Sequence, residues 1–293
     1  MSAGYQNYRG MSRKATRTRY SLDVNIEVYA FEEAHIDAAA TLLAEQVRSA
    51  RSATPELPQR FEEPAEARKP FDFVWKLPMS GGVVATQGGR EGKTVGFMLG
   101  LAFPDDVSHY ASAPLSAVSR RVTARSEVLR EMYAGLAEEW VRAGCIGHYP
   151  SVPASEPELI EAWYSLGFGQ DNVAAVRDTS APEAAAPNGI EIRRAGPDDQ
   201  EPIEDLFEEL SRHLAGPATF AATRPESWIE RLNLEVALAK DGHNVYWLAL
   251  RNGKAIGVQH MEPTATGRPY LPEECIQLQH AVTVTDVRGL EHP

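Results

Sequence analysis

Residues 275–289 read Cys-Ile-Gln-Leu-Gln-His-Ala-Val-Thr-Val-Thr-Asp-Val-Arg-Gly. Ile276, Leu278, Val282 and Val284 recur at even spacing, the period-two pattern of a strand with one buried face. The run ends in Arg288-Gly289, and only Leu290, Glu291, His292 and Pro293 follow it. A strand that hands an Arg-Gly to a turn suits an anion, because glycine lets backbone N–H groups approach it closely. An Arg-Gly pair is also an ordinary surface turn, so what precedes the strand decides between the two.

Upstream, Ile190-Glu-Ile192 is a short alternating strand. Gly196-Pro-Asp-Asp-Gln turns the chain into a helix, with Asp198 or Asp199 as its N-cap. Ile203, Leu206, Phe207, Leu210 and Leu214 recur at helical spacing, and Trp228, Ile229, Leu232 and Val236 repeat the pattern. Two apolar runs then flank Asn252-Gly253, a strong hairpin signal. The order is strand, two helices, hairpin and a last strand.

The first half follows the same order. Asn25 to Phe31 reads as a strand and Glu33 to Arg48 as a helix, with Ile36, Ala39, Ala40, Leu43 and Val47 on one face. Residues 52–72, rich in Pro, Glu and Ala, read as a long loop. Val83 to Thr86 and Val95 to Phe103 form a hairpin. Val122 to Ala143 is a long helix with Val128, Leu129, Met132, Leu136 and Trp140 on its apolar side. A short strand from Gly147, a helix over Leu159 to Leu166 capped by Gly167, and a strand over Val173 to Val176 complete this copy. The chain is thus a distant repeat of a whole domain. The expected division is a basic leader at 1–22, a first domain at 23–178, an Ala/Pro linker at 179–189 and a second domain at 190–293, incomplete after its fourth strand.

This order resembles the GNAT acyltransferases. There the fourth strand leads into an Arg-Gly-x-Gly-x-Gly loop that holds the pyrophosphate of acetyl-CoA. The resemblance implies an α/β fold with a mixed α+β sheet in two GNAT-like acyl-CoA N-acyltransferase domains. It implies N-acetyltransferase activity, with acetyl-CoA as co-substrate and an amine of a small molecule or peptide as acceptor. By resemblance, backbone N–H groups near Val282, Thr283 and Val284 polarise the thioester carbonyl, and Arg288-Gly289 meets the pyrophosphate. Glu291 stands where the second glycine of that loop belongs. The alternative is a GNAT-fold binding or scaffold protein without catalysis. An unpaired edge on the incomplete sheet leaves two outcomes open, a truncated product or a homodimer that completes the sheet from a partner.

In the first domain, residues 104–121 stand where the cofactor loop belongs and lack its glycines. Trp163 occupies the position, four residues before Gly167, where the family often has an acidic Tyr, and Tyr164 falls one residue later. Trp163 is therefore read as core packing, and no catalytic acid or base is assigned. Gly88 to Thr94 imitates a phosphate-binding loop, but Gln87 replaces the first glycine and a strand follows where a helix is needed. His280 draws notice among the eight histidines because it lies on the strand that would face the cofactor; Glu262 and Glu273 flank the same sheet. No pair of His or Cys has metal-ligand spacing.

A net charge of −12 speaks against binding to nucleic acid or anionic membranes. The first 20 residues oppose that balance, with five basic residues and no acid; their low apolar content reads as a disordered leader, an organelle presequence or an extension before a start at Met11. No apolar stretch is long enough to span a membrane. Cys145 and Cys275 are far apart and read as reduced thiols in a cytoplasmic protein.

Overall fold

The computed structural model describes residues 25–104, 109–122, 125–180, 189–216, 244–264 and 267–287. They form two compact units. The first takes Met1–Gln170 together with Gly267–Pro272, and the second takes Asp171–Thr266 and Glu273–Pro293.

The first unit runs β1 (Ile26–Ala30), α1 (Ile36–Ala53), α2 (Pro64–Ala67), α3 (Lys69–Val74), β2 (Ser80–Gln87), β3 (Lys93–Phe103), β4 (Tyr110–Val118), α4 (Arg125–Arg142), β5 (Gly147–Pro150) and α5 (Pro157–Ser165). The sheet order is β1-β2-β3-β4-β5. All neighbours are antiparallel except β4 and β5, which run parallel because α4 carries the chain back across the sheet. Gly88 and Gly89, at φ 93° and 92°, supply the left-handed backbone that reverses β2 into β3.

Both faces of this sheet are covered. The expected face of α1 (Ile36, Ala39, Ala40, Leu43 and Val47) is buried against Val84, Phe97, Leu99 and Leu115. The expected stripe of α4, from Val128 to Trp140, is buried on the other side against Val28, Val83, Ala85 and Met98. Gly100 makes the second contact possible, since a Cβ there would stand 2.4 Å from Cζ2 of Trp140. Trp163 is core as expected, edge-on to Tyr133 and Phe168 at 5.3 and 4.7 Å, while Tyr164 is exposed.

The second unit runs β6 (Glu191–Arg194), α6 (Gln200–Ala215), β7 (Val245–Arg251), β8 (Lys254–Pro263) and β9 (Ile276–Thr283), an antiparallel sheet in the order β6-β7-β8-β9. Asn252 and Gly253 turn the hairpin at φ 52° and 73°, as a primed two-residue turn requires. Ile203, Leu206 and Phe207 of α6 pack on Tyr246, Leu248, Leu250, Val258 and Val282. Asp199 precedes α6 as expected, but its carboxylate takes two 2.7 Å bonds from Arg193 and one from the Gly196 N–H.

Four expectations fail. Residues 52–72 are not a plain loop: a 3-10 turn and α2 and α3 lie there, held by Phe61 and Phe71, both fully buried, with Pro64 and Pro70 at helix starts where a missing N–H costs nothing. Residues 104–121 are not simply the loop between hairpin and helix, because β4 occupies half of them. Its Ala111, Ala113, Leu115 and Ala117 alternate inward, a signal masked by small side chains. No strand forms at 173–176, where Val173 and Val176 are exposed. The clean alternation of β9 also breaks. A register shift opposite His260 and Met261 leaves Ile276 and Leu278 exposed while Val282 is buried. The leader, most of the linker, the Trp228 helix and Arg288-Gly289 lie outside the described residues.

Candidate functional site

The strands of the second unit place a polar row inside its apolar core. Tyr246, His260 and His280 stand opposite one another on β7, β8 and β9. The Tyr246 and His260 rings stack at 4.4 Å and 5°, and His260 and His280 at 5.4 Å and 13°. Phe207 of α6 meets the His280 ring edge-on at 5.6 Å, which fixes the row on the α6 side of the sheet.

Both ring nitrogens of the buried His260 are engaged. Nε2 is 3.0 Å from Asn244 Oδ1, and Nδ1 is 3.1 Å from His280 Nδ1. An amide oxygen only accepts, so His260 Nε2 carries the proton and donates it. The Nδ1 of neutral His260 then accepts from His280 Nδ1–H, which puts the lone pair of neutral His280 on Nε2. Burial lowers the pKa of His260, against the pull of Glu262. For His280 burial and then the neighbouring His260 push it down to about 4. The row is therefore uncharged at neutral pH. Burial and the Glu262 charge push the Tyr246 phenol up to about 12, so it stays protonated. Glu262 itself accepts from Gln279 Nε2. His260 and Asn244 escaped sequence reasoning because strand pairing brings His260 opposite His280 and Asn244 to His260, and register is invisible in a periodicity.

The three expected strand residues differ in what they offer. Val284 N–H already donates to Ile256 O at 2.9 Å. Antiparallel pairs alternate, so Val282 also turns its N–H toward β8, while Ala281 and Thr283 turn theirs to the outer side of β9. The Val282 side chain is core, and Val284 packs against that core in part. Among the described residues no strand pairs with the outer side of β9. Arg288 and Gly289 would follow, but lie outside the described residues.

In the first unit the corresponding connection, from β4 to α4, is residues 119–124. It carries Arg120 and Arg121 and no glycine. Among the described residues no cluster of His, Cys, Asp or Glu could hold a metal ion, and no helix is long and apolar enough to cross a membrane. Neither cysteine is in a disulfide; Cys145 is buried and Cys275 half-buried.

No family model matches this chain, and no curated protein matches it in sequence. Solved structures do match. The glucosamine N-acetyltransferase region of a fungal multi-domain GH3 β-N-acetylglucosaminidase covers 92% of the chain at 12% identity and a TM-score of 0.52, and the chain spans 33% of that protein. A tandem GNAT protein from the clavulanic acid biosynthesis pathway covers 90% of the chain, and 81% of its own length, at 14% identity and a TM-score of 0.45. The aminoglycoside N-acetyltransferase AAC(6')-Iy matches over 55% of this chain and 99% of its own at 13% identity, with a TM-score of 0.39. At these identities the likeness is one of fold.

Proposed function

We propose that this chain, which is built as two units on the fold of the GNAT N-acetyltransferases, moves an acetyl group from acetyl-CoA to an amine of a small molecule or peptide, and does so in its second unit. The observation that carries this reading is the pairing of an edge strand with a neutral imidazole relay. β9 turns backbone N–H groups outward at Ala281 and Thr283, and holds His280 two residues from Val282.

On this reading the outer side of β9 takes the amide-bearing arm of acetyl-CoA as a further strand would, with Val282, Thr283 and Val284 along the contact. An outward N–H polarises the thioester carbonyl, which develops negative charge as the amine attacks. Arg288 and Gly289 meet the pyrophosphate as the strand ends. The attacking amine forms its bond to the carbonyl carbon, the C–S bond breaks, and the thiolate leaves and is protonated from solvent. The amine gives up a proton, which on this reading His280 Nε2 takes directly or through a water, with His260 and Asn244 holding the tautomer.

Isothermal titration of acetyl-CoA tests this first. One saturable site is the expected result. Arg288→Ala should weaken it on the order of tenfold, the scale of losing one hydrogen bond to a charged group. No binding would favour the alternative, a GNAT-fold scaffold without catalysis. Its support is the first unit, whose β4–α4 connection has no glycine.

A further inference from the structure

The most deeply buried carboxylate among the described ion pairs of the first unit is that of Glu156, whose side chain is 2% exposed. It lies just before α5, at the point where two arginines converge. Arg120 Nε and Nη2 reach Glu156 Oε1 at 2.9 and 2.6 Å, and Arg125 Nη2 reaches Oε2 at 2.7 Å. Each oxygen thus has its own guanidinium. Arg125 is the first residue of the 18-residue α4, whose N-terminal end carries positive partial charge. It also reaches Glu158 Oε2 at 2.7 Å.

The clasp closes a gap in the sheet. β4 and β5 pair only over Tyr110 to Ala113 against Gly147 to Pro150. Beyond that, β4 continues to Val118 while the other chain departs through Ser151 toward α5. Arg125 ties the two together, with Nη2 3.5 Å from Val118 O, and Arg120 does the same, with Nη2 3.3 Å from Ser155 O. Tyr270, part of this unit, packs against the α1 core and donates to Gln46 Oε1; burial and then the Glu156 charge raise its pKa. Beside the clasp, Arg125 Nε and Ser155 Oγ are buried and without a hydrogen-bond partner.

Two arginines converging on one point, one of them the first residue of a helix and with unpartnered donors beside it, suit an oxyanion. We propose that the first unit contains such a site and fills it with its own Glu156 carboxylate, which excludes free oxyanions of the phosphate class while it is in place. This does not rest on the function proposed for the second unit. It changes what glycine-poor means for the first: the site is occupied from within.

Unfolding of the full chain, with inorganic pyrophosphate as probe and chloride at matched ionic strength as control, tests it. Glu156→Gln keeps the shape and removes the charge. Its unfolding temperature should fall below wild type, and millimolar pyrophosphate should raise it by several degrees, as a ligand well above its Kd does when it binds only the folded state. Wild type should gain much less, and Glu156→Gln with Arg125→Gln should lose the rescue. If Glu156→Gln does not fold in chloride, refolding in pyrophosphate carries the same test, and failure in both overturns the proposal. Equal gains in wild type and variant, rescue that survives Arg125→Gln, or no rescue would each overturn it as well.

Discussion

The two sheets of this chain are laid down by the same element order and finished differently. The first is closed on both faces, by α1 with α2 and α3 on one and α4 with α5 on the other. Among the described residues the second is covered on one face by α6, and on the opposite face Ile192, Trp247 and Leu278 are 48%, 39% and 51% exposed. Their polar interiors differ too. One holds a carboxylate between two guanidinium groups; the other holds two imidazoles that burial keeps neutral. A shared fold therefore does not carry a shared site. Where β4 and β5 part, the first unit is shut by its own charges, while β9 presents an edge with no partner strand among the described residues.

Adjacent residues on β7 give the sharpest test of the difference in covering. Leu248 is 1% exposed against α6, and Trp247 faces the other way. Leu248→Ala should cost about 2–5 kcal/mol, as buried leucines do. Trp247→Ala should cost less, about 1–2 kcal/mol, because 39% of its surface stays in water and its removal opens no closed cavity. Urea unfolding of both variants checks the contrast. Equal losses would mean that the second sheet is covered on both faces like the first, and the comparison would collapse.

The next effect belongs to the first sheet. Gly100→Ala pushes a methyl into the Trp140 ring and toward Ser112 O, at 2.4 and 3.1 Å. Overpacking of this kind should cost about 1–3 kcal/mol. Gly257→Ala in the second sheet meets Val282 O at 3.0 Å and no aromatic ring, so it should be the milder of the pair in thermal unfolding. A larger loss at Gly257 would place the tighter packing in the wrong unit.

How far these contrasts were legible in the sequence depends on what each element rests on. α1, α4 and α6 were readable because large apolar residues recur at helical spacing and end up buried where that spacing puts them. The Asn252-Gly253 hairpin was readable because its turn chemistry is local. β4 was not, since alanine and serine alternate with too little contrast in size or polarity. α2 and α3 were hidden by their prolines, which look like loop signals and act as helix starts. The candidate site was half legible. β9 and His280 could be picked out, while His260, Asn244 and the Glu156 clasp depend on contacts between residues 16 to 36 positions apart.

The smallest expected effect separates the two polar interiors by pH. His280 has its pKa pushed down to about 4, and His260 is lowered by burial, from an ordinary value near 6.5. The unfolded chain therefore binds more protons than the folded chain between these values. Stability from the pair is complete above pH about 6.5 and is lost as pH falls toward the folded pKa. His280→Gln removes one of the two groups and should flatten that part of the pH–stability curve, leaving stability near pH 8 less changed than its slope. The same scan on Glu156→Gln should leave the slope in this window intact, because the first unit's clasp contains no imidazole. If His280→Gln left the slope unchanged, the imidazole row would not be the group that titrates, and the neutral relay on which the proposed proton transfer depends would lose its basis.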